Sequence, residues 1–433
     1  MKYKKYPAYK DSGVEWLGEI PSEWNITRLG NISSISASGI DKKINEDEKE
    51  VKIINFTDIH KAKNFILDSN KEYMIVTTSL DKKNKHQVKK GDLIFTPSSE
   101  TINDIGISAL VNEELLETSF SYHVLRCNFT IDINHEYKKY LTNNTYCLAQ
   151  FSSKARGTTR QTLSRDDFRT LYISLPPIRE QQQIANYLDE KTSKIDNLIE
   201  KQTKQIELLK EKRQAVISHA VTKGINPNVP MKDSGVEWLG EIPEHWEVKK
   251  LKFVLQLLNK KEKIINQIVV ALENIESWSG KYIESDSSYQ GDDVAFCIGD
   301  ILFGKLRPYL AKVFLCSFDG IAFGDLLAYR PIKDYASKYA FYSLISEDFI
   351  KIVDSSTYGT KMPRASSEFL SEMRLTVPPL KEQQQIANYL DEKTSKIDIL
   401  IEKSNKSIEL LKEKRTALIS VAVTGKIDVR EFA

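Results

Sequence analysis

Apolar residues recur every seven positions along one long stretch of this chain. Leu188, Ile195, Leu209 and Val216 mark the beat, Gln202 fills the missing one, and Leu198/Ile199 and Ile206 fall on the same stripe. From Pro176-Pro177, residue types that start helices, to about His219 there is no Gly or Pro, and Lys and Glu fill the other faces. That period predicts a helix of about 40 residues, roughly 60 Å long, with a coiled-coil seam. Leu390, Ile397, Ser404, Leu411 and Leu418 repeat the pattern after Pro378-Pro379. Gly224 followed by Pro227 reads as a helix stop and linker. The remaining segments carry short strand-like runs: 51–54, 93–95, 124–125 and 171–173, then 268–271, 301–303 and 312–315. Turn residues punctuate them, so they predict mixed α/β interiors, whose topology the pattern does not give.

The two helical stretches are copies. Residues 178–222 and 380–424 agree at 36 of 45 positions, and Glu180 to Asp196 matches Glu382 to Asp398 without a change. A second repeat lies upstream: Lys10 to Pro21 recurs identically as Lys232 to Pro243, and Trp24 matches Trp246. Four of the five tryptophans sit in this repeat, so it is a frame and not a chance match. The first repeat is offset by 202 residues and the second by 222, so the segment between them is 20 residues longer in the first copy. Gly91 to Phe95 pairs with Gly299 to Phe303 at 208, and Gly157-Thr158 with Gly359-Thr360 at 202. Near-identical frames therefore enclose divergent interiors, as in one scaffold carrying two different binding modules. The helices are expected to pair antiparallel, since each follows its own globular part.

Composition narrows the class. The 433 residues carry 62 Lys+Arg against 60 Asp+Glu, with 28% charged and 41% hydrophobic positions, which suits globular domains and not a disordered chain. No apolar stretch approaches the ~20 residues of a membrane span, and no apolar signal region follows the basic start, so a cytoplasmic protein is expected. Cys127, Cys147, Cys297 and Cys316 form no C-x-x-C pair, which argues against a zinc site or disulfide framework. The charge balance leaves a basic face possible, offset by acidic helices elsewhere.

Enzymatic motifs are missing. Gly299 to Leu306 is one residue short of a phosphate-binding loop, with Leu306 where a magnesium-binding Ser/Thr belongs. No G-x-G, G-x-S-x-G or H-E-x-x-H occurs, and neither Pro-Pro is the Asn/Asp-Pro-Pro-aromatic signature of an adenine-N6 methyltransferase. Contacts for a polyanion are present. Residues 137–165 contain six bases and no acid: Lys138, Lys139, Lys154, Arg156, Arg160 and Arg165. Around Gly157 they interleave with Thr158, Thr159 and Gln161, side-chain types that read groove edges and phosphates. The counterpart is Tyr358, Thr360, Lys361 and Arg364; a second cluster, Lys305, Arg307 and Tyr309, follows the Gly-Asp strand where the first copy has Thr96 to Ser99. Each cluster alone suits solvated surface; recurrence at matched positions with changed identities favours contact. The triplets Gln181, Gln182, Gln183 and Gln383, Gln384, Gln385 suit a solvated or a partner-binding face equally.

Taken together, the duplicated V-E-W-L-G-E-I-P-x-x-W start, the G-D-I-L-F-x-x-x-x-P-Y-L strand, the G-T loop and the P-P-x-x-E-Q-Q-x-I-A helix start resemble the specificity subunits of type I restriction–modification enzymes over nearly the whole chain. The first copy departs from the second motif at Thr96 to Ser99. The resemblance implies an α+β fold: two globular target-recognition domains held apart by two long antiparallel coiled-coil helices, with a pseudo-twofold internal repeat. The expected boundaries are 1–175 and 232–377 for the recognition domains, 176–221 and 378–424 for the spacer helices, 222–231 for the linker and 425–433 for the tail. Each domain would read one half of a bipartite, asymmetric DNA site. DNA contacts are expected from Lys154, Arg156, Thr158, Thr159, Arg160, Gln161, Thr96 and Ser98, and from Lys305, Arg307, Tyr309, Tyr358, Thr360, Lys361 and Arg364. The glutamine triplets would face partners. The implied partners are two methylation subunits, which use S-adenosylmethionine, and two ATP- and Mg-dependent restriction subunits, around one copy of this chain. The chain itself would hold no cofactor or metal and no catalytic site. A free-standing DNA-modifying enzyme and a scaffold that never touches DNA are the competing readings.

Overall fold

The computed structural model describes residues 4–264, 267–359 and 361–432. Two helices dominate it, Ile178–Lys223 with 46 residues and Leu380–Val423 with 44. The chain forms two compact units, Met1–Lys201 with Ser407–Ala433, and Gln202–Lys406. Each unit thus combines one globular part, the first half of the helix that follows it and the second half of the other helix. The first helix runs four residues beyond His219. Thr222 satisfies its own hydroxyl on the Ser218 carbonyl (2.7 Å), and the Gly224 N–H closes the last turn on Ala220 (3.2 Å).

Both units hang their interior from the same frame. In the first, the strand Asn25–Arg28 pairs antiparallel with Tyr172–Leu175, so the chain leaves the frame and returns to it side by side. In the second, Glu247–Lys250 pairs with Arg374–Val377 in the same way. The repeated V-E-W-L-G-E-I-P segment is a small hairpin, Tyr9–Asp11 with Glu19–Pro21 and Met231–Asp233 with Glu241–Pro243. Trp24 and Trp246 are fully buried beneath it. The Trp24 indole donates to Glu180 Oε2 (3.1 Å) and the Tyr6 hydroxyl to Glu180 Oε1, tying the hairpin to the first helical turn.

The interiors are mixed α/β as read from the strand runs. The first contains a five-stranded sheet in the order Ser33–Ser36, Leu125–Phe129, Leu93–Phe95, Ser108–Val111 and Ile66–Leu67. Beside it lies a three-stranded sheet with Lys49–Ile54 central between Thr118–Phe120 and Met74–Thr78. The second has two four-stranded sheets; in one, Ile301–Gly304 lies between Leu326–Pro331 and Val313–Leu315. The Gly-Asp motif is the turn into the central strand: Asp300 accepts the Cys297 N–H (2.8 Å) and pairs bidentately with Nε and Nη2 of Arg330, while Asp92 accepts the Lys89 N–H (2.9 Å).

Within each unit the two helix halves are antiparallel and clasped by one ion pair. Arg213 Nε meets Asp398 at 3.0 Å in the second unit, and Arg415 Nε meets Asp196 at 2.9 Å in the first. The same arginines hold the interior. Arg213 Nη1 donates to the Trp278 carbonyl (2.9 Å); Arg415 Nη2 donates to Asn64 Oδ1 (3.3 Å) and its guanidinium covers the Phe65 ring at 5.1 Å. Trp278, Asn64 and Phe65 all sit at positive φ, between 54° and 64°. A non-glycine residue in that region costs roughly 1–2 kcal/mol, and the arginine contacts help to offset that strain.

The last segment completes the first unit. Gly425 at φ 69° ends the second helix in a double cap, with its N–H on Ala422 (3.2 Å) and the Lys426 N–H on Val421 (2.8 Å). Ile427 and Val429 then enter the core with Tyr6, Leu17 and Trp24, and the Asp428 N–H reaches the Lys4 carbonyl (2.9 Å).

Glycine at these two caps is not equally replaceable. A Cβ on Gly425 would lie 2.3 Å from Pro21 Cδ, whereas one on Gly224 would first meet Trp246 at 3.3 Å. Both alanines keep a positive φ. Gly224→Ala is expected to cost about 1–2 kcal/mol from the backbone alone. Gly425→Ala should cost roughly 3 kcal/mol, because overpacking adds to the strain. Urea unfolding of the full chain measures both, and equal losses would contradict the difference in packing.

Candidate nucleic-acid interface

Two of the clusters read from the sequence are one place in the second unit. The segment after the strand Ile301–Gly304 runs directly against the loop 358–365. The Arg307 N–H donates to the Pro363 carbonyl (2.7 Å) and the Ala365 N–H to the Lys305 carbonyl (2.9 Å). Arg364 and Tyr358 exchange both backbone hydrogen bonds, at 3.1 and 3.4 Å. This junction exposes Arg307, Lys361 and the rings of Tyr309 (45%) and Tyr358 (65%), with Met362 beside them. Basic groups interleaved with exposed aromatics suit a phosphate backbone with bases at its edge. Thr360, also expected here, lies outside the described residues.

The first unit builds the same junction from different side chains. Arg156 and Thr162 exchange backbone bonds at 3.1 and 2.8 Å, and the Leu163 N–H donates to the Pro97 carbonyl (2.7 Å). The strand Ser98–Ser99 pairs with Gln161–Thr162, so Ser98 lies beside the loop. Arg156, Thr158, Thr159 and Arg160 are exposed. Gln161 folds back, its Nε2 on the Gly157 carbonyl (2.6 Å), and shapes the loop from within. Lys154 sits at the end of the helix Thr145–Lys154 with its ammonium on Thr170 Oγ1 (2.8 Å).

Expectations for five residues need correction. Thr96 is fully buried and its hydroxyl is used on the Ile107 carbonyl (3.2 Å), because its strand is covered on both faces; it has no surface to offer DNA. Lys138 and Lys139 of the basic stretch also turn inward, Lys138 to the Gly91 carbonyl and Lys139 to Asp189 (2.8 Å) and Glu136 (3.1 Å). Gln181 is buried: it accepts the Asn134 N–H (3.0 Å) and donates to the Pro176 carbonyl (2.9 Å). Gln383 does the same for the Ala336 N–H (2.8 Å), the Pro378 carbonyl (2.8 Å) and the Asp334 carbonyl (3.1 Å). The first glutamine of each triplet locks the helix start onto its interior and is no partner surface. Gln182, Gln384 and Gln385 are exposed, and Gln183 is partly so.

Other surface groups carry no sequence motif. Asp325 stands between Lys305 (3.7 Å) and Arg364 (3.1 Å). By strand register its equivalent is His123, since Leu125 faces Phe95 as Leu327 faces Phe303. Partial burial, then the Arg160 and Lys42 charges, hold the His123 imidazole below its ordinary range. Exposed leucines also recur, Leu198 with Leu400 and Leu208 with Leu410; Leu198, read from the sequence as part of the apolar stripe, lies off it, and its neighbour Ile199 packs on the core instead. Their repetition in both copies was the available signal.

Residues 21–208 and 243–410 match the family described as Type I restriction modification DNA specificity domain, once in each copy. This chain belongs to the type I restriction–modification DNA specificity family. It is 22% identical over 437 residues to the type I restriction enzyme EcoDI specificity subunit of Escherichia coli, covering 95% of this chain and 90% of that one. It is 29% identical over 299 residues to the MjaVIII specificity subunit of Methanocaldococcus jannaschii, covering 65% and 68%. A solved structure from work on assembly and conformational transition of the type I R-M system superposes with a TM-score of 0.66 at 14% identity, over 94% of this chain and 99% of that one. That likeness bears on the fold alone. The family accounts for the duplicated frame and the two long helices.

The buried glutamines make a test within the family frame. Gln383→Ala removes three hydrogen bonds from buried or half-buried backbone groups. A loss of roughly 2–4 kcal/mol is expected, while the exposed Gln384→Ala stays within about 0.5 kcal/mol. Unchanged stability of Gln383→Ala in thermal unfolding would return that residue to the surface role read from the sequence.

Proposed function

We propose that this chain is the DNA-sequence-reading subunit of a type I restriction–modification complex and is not itself an enzyme. The observation that carries this is the pair of junctions: the same backbone hydrogen bonds at 97/163 and 305/365 present different exposed side chains. Two unlike surfaces on one scaffold suit a bipartite, asymmetric duplex site, with Arg156, Thr158, Thr159, Arg160 and Ser98 on one half and Arg307, Tyr309, Tyr358, Lys361 and Arg364 on the other. The two long helices set the unspecified spacer between the halves. Two methylation subunits dock on the repeated outward helix faces, which carry Gln182, Gln384, Gln385 and the exposed leucines. Those subunits bring S-adenosylmethionine, and two restriction subunits bring ATP and magnesium. One copy of this chain serves each complex, in the cytoplasm. Among the described residues no helix is long and apolar enough to cross a membrane.

Exchanging the interiors tests the reading directly. Replacing residues 25–175 with 247–377 keeps the paired frame strands and duplicates the second interior. The assembled methyltransferase should then modify a symmetric site, two inverted copies of one half. Methylation mapping on a genomic substrate reads the outcome; an unaltered asymmetric site would refute the assignment of specificity to the interiors.

Arg160→Ala gives a finer check. As a phosphate contact, Arg160 should contribute to all sequences alike, and its loss should reduce the salt slope of binding by about one. As a base contact it should cost ~1–3 kcal/mol and relax one position of one half-site. Neither change, in a folded variant measured by salt titration of duplex binding, would assign Arg160 to plain solvated surface.

A further inference from the structure

Asp325 is out of place on a surface that meets phosphates. It stands in the turn between the strands Gly320–Ala322 and Leu326–Pro331, with its side chain only 22% exposed. Its carboxylate touches two of the cations expected to meet DNA, Arg364 Nη2 at 3.1 Å through Oδ2 and Lys305 Nζ at 3.7 Å through Oδ1. Its backbone carbonyl accepts the Lys305 N–H at 3.0 Å. Lys305 and Arg364 come from segments 59 positions apart, and Asp325 is the side chain that engages both.

Electrostatics alone would remove such an acid. A carboxylate among phosphate-facing cations repels the backbone and weakens binding to every sequence. What it supplies is direction. A guanidinium reads a base edge only when its planar fork is held at one angle, and a lysine ammonium on a four-carbon stem has no angle of its own. Hydrogen bonding to Asp325, with its charge, raises the Arg364 guanidinium further above its already high range and ties its Nη2 to one carboxylate oxygen, while its Nε is buried, so the plane of the guanidinium is restrained. The first unit lacks this device. At the matching positions it has Pro97, His123 and Thr162, and its cation, Arg160, stands near the imidazole instead.

We propose that Asp325 is a positioning residue for sequence discrimination: it holds Lys305 and Arg364 against duplex DNA and trades general affinity for selectivity in one half-site. This rests on the DNA-reading function above, and the test separates the two. The full chain, assembled with its methylation subunits, is incubated with a randomised duplex library, and bound sequences are counted. Wild type should enrich a bipartite site. Asp325→Asn should lose roughly tenfold preference at positions of one half-site only. Its affinity for an unrelated duplex should rise, with a salt slope steeper by about one, because a repelling charge is gone. Asp325→Glu should keep most of the selectivity. In a Lys305→Ala/Arg364→Ala background Asp325→Asn should change selectivity no further, as expected of a residue that acts through those two. An Asp325→Asn profile equal to wild type, a loss shared by both half-sites, or a loss that persists without Lys305 and Arg364 would each overturn the inference. If wild type enriches no bipartite sequence, the DNA-reading function fails first and the inference falls with it.

Discussion

The register of the two long helices is fixed by charge more than by their apolar stripe. A seam of period seven can slip by seven residues and still bury leucine on isoleucine. The pairs Arg213–Asp398 and Arg415–Asp196 cannot slip. The Arg213 side chain is only 9% exposed, so a shifted register would leave a largely buried guanidinium without its carboxylate, at about 3–5 kcal/mol. Polar beats at the middle of the stripe act in the same sense, Ser404 being buried and Gln202 half-buried. Each pair lies inside one compact unit, yet each joins a residue of one copy to a residue of the other. The repeat is therefore needed chemically: an Arg and an Asp at fixed spacing in each copy supply both clasps.

The clasp also explains why the frame is nearly invariant while the interiors are not. Arg213 serves the partner helix and the Trp278 carbonyl, and Arg415 serves Asp196, Asn64 and Phe65. Glu180 holds Tyr6 and Trp24 together, and Gln383 holds three backbone groups. A residue with two or three partners on different segments has few acceptable substitutes. The junction at the interior surface is held the other way, by backbone N–H and carbonyl groups that every residue except proline supplies in full. Even that exception is accommodated, because Pro97 uses only its carbonyl there.

Periodicity and repetition made the helices and the frame legible from sequence, and the strand runs at 93–95 and 301–303 appear where the pattern put them. What stayed hidden is tertiary. Nothing in the sequence says that 305–309 lies against 358–365, because the link is two backbone hydrogen bonds and one aspartate from a third segment. Thr96 was misread because it was grouped with the segment matching the Lys305 cluster; at the offset of 208 it matches Gly304, and like that residue it is buried. The glutamine triplets were misread because three identical side chains point in three directions on a helix, and the first of each triplet is buried against the interior.

The extra length of the first interior follows the same division. Fourteen of its 20 added residues precede the Gly-Asp strand and six follow it, yet Phe95 still faces Leu125 as Phe303 faces Leu327. Additions are absorbed outside the central strand pairing, and the junction keeps its geometry. A surface built in this way can exchange Lys305 for Pro97, or Asp325 for His123, and lose the bond from the Lys305 N–H to the Asp325 carbonyl while keeping the one that joins the loop to the carbonyl of Pro97 or Lys305. The packing that holds the fold and the chemistry that faces a ligand are thus carried by different atoms: side chains in the frame, backbone at the junction. That separation lets two copies of one unit stay alike in structure while presenting unlike surfaces.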